Sequence, residues 1–94
     1  MMNNSIQISE HYNNRFRERI ARTKRVEKFA NDAFEYGTTL NEVNDIRLQK
    51  YLKNISAKYH HICDYRIYKG FVHVFDVFTM TAITVYRVPK KYVL

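Results

Sequence analysis

The stretch from Ile62 to Val88 constrains this chain more than any other part of it. It holds three β-type runs with hardly a break between them. The first runs from Ile62 to Tyr68 and stops at Lys69-Gly70, a tight-turn pair. Phe71 to Phe75 is the second, and Asp76 to Thr79 a looser turn. Met80 to Val88 is the third, closed by Pro89, which cannot continue a central strand. β-branched and aromatic residues dominate all three, so the segment predicts a three-stranded antiparallel meander. A sheet of this size needs cover on one face, and the preceding residues must supply it as helix.

Their periodicity agrees. Ile6 and Ile8 alternate with polar neighbours and predict a short strand, an edge strand beside the C-terminal three. Ser9 is placed as an N-cap, with Glu10 in the first turn where the helix dipole favours a negative charge. Tyr12, Phe16 and Ile20 then fall on one apolar stripe, with His11, Arg15 and Arg19 as a polar column beside it. Thr23 interrupts this helix and caps the next, whose buried face is Val26, Phe29, Ala30, Ala33 and Phe34. Gly37 is its C-terminal stop. Thr39 to Glu42 has the spacing of a capping box and leads into a helix beginning near Asp45. There Leu48, Leu52, Ile55 and Tyr59 share a face, Arg47, Lys50, Lys53 and Lys58 occupy the others, and His60-His61 ends the helix.

The expected architecture is therefore α+β, within a single domain over residues 1–94 whose residues 1–4 form an untied terminus. An N-terminal strand and three helical segments pack on one face of the C-terminal meander, and the other face is left open. Hydrophobic residues make up 46% of the chain, enough for a core, so global disorder is excluded. Cys63 is the only cysteine, so no internal disulfide can form, and no apolar run is long enough for a signal peptide or membrane span. The expectation is a cytoplasmic protein with no membrane partner. The net charge of +7 favours a polyanion, whether nucleic acid, an anionic membrane surface or an acidic protein, and equally serves solubility; the expected partner is RNA or a ribonucleoprotein, or a host defence protein.

Strand alternation sorts the meander into two faces. With the more aliphatic set taken as core, Arg66, Tyr68, His73, Thr84 and Tyr86 fall on the open face, flanked by Phe71 and Phe75. Aromatic rings there could stack on bases, Arg66 could hold a phosphate through two hydrogen bonds, and His73 could move a proton near neutral pH. The bland alternative is an aromatic face covered by a partner subunit, giving a homodimer through the open sheet, or by the N-terminal segment. The column His11, Arg15, Arg19 could position a phosphate, or be an ordinary solvated flank. No cysteine pair suits zinc, the two glycines make no phosphate-cradling loop, and no cofactor is expected.

Two segments carry a family resemblance. ISEHYNNRFRERI (residues 8–20) and YRIYKGFVHVF with TAITVYRVPKKY (within residues 65–92) resemble the strand-then-helix opening and closing hairpins of small phage and mobile-element proteins. Those proteins sit near the RelE and BrnT toxins of the barnase–EndoU–colicin–RelE-like fold group. The resemblance implies a sheet whose concave face carries any ribonuclease site, with Arg66, His73 and Tyr86 at the matching positions and His11 and Arg15 added from the first helix. The chain differs from a standard RelE toxin in having three helical segments before the meander and no dense Arg/Lys cluster in its last strands.

Three readings of function follow. In the leading one, the chain is a small basic RNA-interacting protein of phage or mobile-element origin, with catalysis left open; if it cuts, it is a metal-free endoribonuclease like those toxins. Arg66 and Arg15 hold the phosphate, His73 or His11 takes a proton from a ribose 2′-hydroxyl, and Tyr86 assists the leaving group, with Arg19, Tyr68, Phe71, Phe75 and Thr84 as binding residues. In the second, a non-catalytic phage inhibitor of the anti-CRISPR type binds a host defence protein or its guide nucleic acid. In the third, the protein is a homodimeric structural element.

Overall fold

Entry into the fold is set at Ser9. The computed structural model describes residues 5–21, 25–56 and 63–89. In it the Ser9 backbone N–H donates to Ala82 O (3.1 Å) and its Oγ donates to Ile83 O (3.0 Å). That same Oγ accepts from the Tyr12 N–H (3.0 Å) as the N-cap of the first helix. One side chain thus joins the short strand β1 (Gln7–Ile8), the helix α1 (Glu10–Arg19) and the last strand β4 (Thr81–Arg87). Helix α2 (Val26–Tyr36) follows, then a 3₁₀ turn at Leu40–Glu42 and α3 (Ile46–Ser56). Strands β2 (Cys63–Tyr68) and β3 (Phe71–Asp76) complete the set. The terminus 1–4, the Thr23 cap, and Lys58, Tyr59, His60 and His61 lie outside the described residues.

The sheet is mixed, in the order β1-β4-β3-β2, with β1 parallel to β4 and the other pairs antiparallel. Lys69 (φ 53°) and Gly70 (φ 82°) both take the left-handed conformation, the hairpin geometry whose twist matches that of flanking strands. At the other end, Asp76 Oδ1 accepts from the N–H groups of Phe78 (2.9 Å) and Thr79 (3.2 Å), folding the β3–β4 connection into an Asx turn.

The expectation of helices on one face fails. β3 is buried on both sides from Phe71 to Phe75. Phe71 and Phe75 join Ala82 and Val85 of β4 in a core with Tyr12 and Phe16 of α1 and Val26, Ala30 and Ala33 of α2. Val72 and Val74 join Tyr65 and Ile67 of β2 in a second core with Leu48, Leu52 and Ile55 of α3. The architecture is three-layered: α1 and α2, the sheet, then α3. The physical reason is that β3 carries large apolar side chains on both faces, Phe71 and Phe75 on one and Val72 and Val74 on the other, which no single helical layer can cover.

Alternation also breaks in β4. Val74 pairs with Thr84 but Phe75 pairs with Ala82, so Ile83 is an extra residue in a β-bulge. Ile83 and Thr84 therefore both turn toward α3, and every later residue of β4 changes side. Val85 goes to the α1/α2 core and Tyr86 to the α3 core, the reverse of strict alternation.

The edges of β4 and β2 are partly occupied by the chain itself. Beyond β1, the outer edge of β4 runs beside α1, where Arg19 Nη1 donates to Val85 O (2.6 Å). On β2, Thr38 exchanges two backbone hydrogen bonds with Ile67 (both 2.9 Å). Tyr65 meets side chains instead: its N–H donates to Asp64 Oδ1 (2.8 Å) and its carbonyl accepts from Arg66 Nη1 (3.2 Å). Paired charges of this kind blunt an edge against strand addition. Gly37 ends α2 for a reason other than a left-handed cap. Its φ is −70°, and a Cβ there would lie 2.5 Å from Ala33 O and 2.8 Å from Arg66 Cβ. Glycine is needed for close packing against β2.

Candidate functional site

His73 was the strongest catalytic candidate, and it is fully buried, at 0% exposure. Its Nδ1 lies 2.8 Å from the Tyr12 hydroxyl in a buried hydrogen bond. The rings of Tyr12, Phe29, Tyr68 and Phe75 surround the imidazole at centroid distances of 5.7–6.4 Å. Burial pushes its pKa down to about 4, with the Tyr68 backbone pulling weakly the other way. Burial likewise pushes the Tyr12 phenol up. Both partners are neutral at pH 7, and His73 Nε2 has no hydrogen-bond partner among the described residues. The pair latches α1 onto the middle of the sheet. It does not present a base to a ribose.

The other candidates disperse. Arg66 is the cross-strand neighbour of His73, but its guanidinium is occupied. Nε donates to Phe34 O (3.1 Å), Nη1 pairs with Asp64 (2.5 Å), and the group stacks over the Phe34 ring at 4.8 Å. It ties the end of α2 to β2. Tyr86 and Thr84 lie on the opposite face from His73 because of the bulge, and Thr84 Oγ1 is buried without a hydrogen-bond partner among the described residues. Tyr68 is half-buried against Phe29 (5.3 Å, edge-on), while Phe71 and Phe75 are core residues under α1 and α2. The open aromatic face does not exist: α1 and α2 of the same chain cover it. Convergence of His73, Arg66 and Tyr86, and dimerisation across that face, are both corrected by this geometry.

On α1, His11 is exposed, Arg15 pairs with Glu18 (3.1 Å), and Arg19 turns back to Val85 O with its guanidinium 5.5 Å from the Tyr86 ring. The column His11, Arg15, Arg19 is thus a helix flank with its arginines engaged. Cys63 is half-buried, and burial with nearby Asp76 pushes its thiol up, away from thiolate chemistry. Among the described residues no group of three His, Cys, Asp or Glu side chains could hold a metal ion, and no helix is long and apolar enough to cross a membrane.

What remains accessible is charge, the exposed Tyr36 and Ile46, and one turn. No lysine or arginine among the described residues is buried. Two half-exposed carboxylates are engaged with the chain's own backbone, however. Asp45 Oδ1 accepts from the N–H groups of Arg47 (2.8 Å) and Leu48 (3.3 Å) as the cap of α3, and Asp76 holds the β3–β4 turn. At the tip of that turn Phe78 is 79% exposed beside Val77. Sequence patterning places Phe78 in the Asp76–Thr79 turn but assigns it no role, because a single aromatic in a turn has no periodicity to mark it. No family model, curated protein or solved structure matches this chain.

Proposed function

We propose that this chain is a small basic RNA-binding domain that acts by binding rather than by cutting. The observation that supports binding is the charge. The sequence carries +7, and every described lysine and arginine reaches solvent while Asp45, Asp64 and Asp76 are tied to the chain's own backbone or to Arg66. The field outside is positive, as suits a phosphate backbone. Against catalysis stands His73, sealed and neutral under α1 and α2, with Tyr86 on the other side of the sheet.

A relationship to the RelE and BrnT toxins belongs to the same proposal. It is supported by the element order, a short strand and helices followed by three strands, with the first strand beside the last. A shared fold with a covered site would suit an RNA-binding relative that has lost cleavage. The second reading, an inhibitor of a host defence protein, is favoured by Phe78. An exposed aromatic on a hydrogen-bonded turn has the character of an interface anchor.

One titration tests the proposal. Fluorescently labelled RNA is mixed with the protein at about 50 mM and about 200 mM salt, with cleavage followed in parallel. The expected outcome is intact RNA bound at low salt, with affinity falling steeply as salt rises through counterion release. Cleavage by wild type that is lost in His73→Ala would refute the non-catalytic part. Absence of binding at low salt would refute the RNA reading and leave the protein-inhibitor reading.

A further inference from the structure

Surface charge is not spread evenly over the helices. On α1, Arg15 is paired with Glu18, and on α2, Lys28 is paired with Asp32 at 2.9 Å. On β2, Arg66 is paired with Asp64, and Arg87 Nη2 donates to Arg19 O (3.3 Å). Helix α3 differs. Its sequence IRLQKYLKNIS contains no acidic residue, and its exposed side carries Arg47, Lys50, Lys53 and Asn54, with Ile46 exposed in its first turn. None of the three cations pairs with a carboxylate among the described residues. The acids just before the helix are engaged locally, Asp45 with the helix N–H groups and the exposed Glu42 with Thr39 (2.8 and 3.0 Å), and neither forms an ion pair with Arg47, Lys50 or Lys53.

We infer that the outer face of α3 is the nucleic-acid contact of this protein, a site for the phosphodiester backbone of RNA. The inference rests on the RNA-binding reading above and assigns its site. Arg47, Lys50 and Lys53 recur every three residues, so they climb about 9 Å along one flank of the helix. Asn54, seven residues after Arg47, adds an amide donor near the same flank. Each cation is a donor to a phosphate oxygen. Opposite them on the helix, Leu48, Leu52 and Ile55 are buried on the sheet, so the backbone of the flank is held at fixed orientation and only side-chain rotamers are ordered at binding. No aromatic residue on this helix is fully exposed, since Tyr51 is half-buried with its hydroxyl donating to Arg87 O (3.5 Å). With no ring free to stack on bases, the face reads the backbone and not the sequence.

The test compares two triple variants that remove the same charge. The first is Arg47→Gln, Lys50→Gln, Lys53→Gln, and the control is Arg25→Gln, Lys28→Gln, Lys69→Gln, all six side chains being exposed. Binding to labelled single-stranded RNA, and separately to duplex RNA, is measured against salt, with circular dichroism showing that both variants are folded. The α3 triple should weaken binding about tenfold or more and flatten the log–log salt dependence on single strands by about 2, three phosphate contacts at roughly 0.7 each. The control should change the slope by less than about 1. Equal losses in the two variants would overturn the α3 assignment while leaving the RNA reading intact, since only total charge would then matter. A marked difference in affinity between RNA sequences that vanishes in the α3 triple would also overturn it. Wild type that binds neither probe would overturn the RNA reading and this inference together.

Discussion

The two sides of the sheet are built on different chemistry. On the α1/α2 side the core is aromatic: Tyr12, Phe16, Phe71 and Phe75, with Phe29, Phe34 and Tyr68 at its margin, enclose one histidine. On the α3 side it is mostly aliphatic: Val43, Leu48, Leu52, Ile55, Ile67, Val72 and Val74. Outside, the order is reversed. Charges on α1 and α2 include matched pairs, while those on α3 are all of one sign. The comparison teaches that chemically suggestive residues are not the accessible ones. An aromatic and histidine-bearing strand face resembled a ligand site because stacking and proton transfer need those groups. Here they make a core, and the plainer helix keeps the surface that a polyanion can reach.

The comparison breaks most easily if one side proves to be unburied. Phe16→Ala and Leu52→Ala, one on each side, should each destabilise the protein by about 2–5 kcal/mol in chemical denaturation. If Leu52→Ala were nearly silent, α3 would not be packed on the sheet and the three-layer arrangement would fall.

Acid should separate the two sides next. His73 has a folded pKa of about 4, below its ordinary 6.5, so the fold favours its neutral form. That contribution is complete above pH 6.5 and is lost as pH falls from 6.5 toward 4, by about 2 kcal/mol between pH 6.5 and 5. In His73→Phe, stability between pH 6.5 and 5 should be markedly flatter than in wild type. Parallel pH profiles would show that His73 is not sealed by α1 and α2.

The smallest contrast concerns two buried hydroxyls. Tyr12→Phe removes the partner of His73 Nδ1 and should cost about 1–3 kcal/mol, the penalty for orphaning a buried polar atom. Thr84→Val removes a buried Oγ1 that has no partner among the described residues, and should be neutral or raise the melting temperature by a few degrees. Destabilisation by Thr84→Val as large as that by Tyr12→Phe would show that Thr84 has a role on the α3 side.

Much was legible in the chain itself, because local rules wrote it. The strands at Cys63–Tyr68, Phe71–Asp76 and Thr81–Arg87 follow from β-type runs punctuated by Lys69-Gly70 and Asp76. Ser9 caps α1 as its hydroxyl suggested, and the stripes Tyr12-Phe16 and Leu48-Leu52-Ile55 are buried as their spacing required. Periodicity says that a face is buried, but not what covers it. Only tertiary structure decided that α3 crosses to the far side of the sheet, because that choice depends on apolar area summed over β2 and β3 rather than on any one segment. The bulge at Ile83 was equally hidden: one inserted residue leaves the composition of a strand unchanged, yet it sends Tyr86 away from His73. The chemistry of His73 itself was decided by Tyr12, 61 residues earlier in the chain, and by the rings that exclude water from it. A side chain's pKa belongs to its surroundings, and those are assembled only when the chain folds.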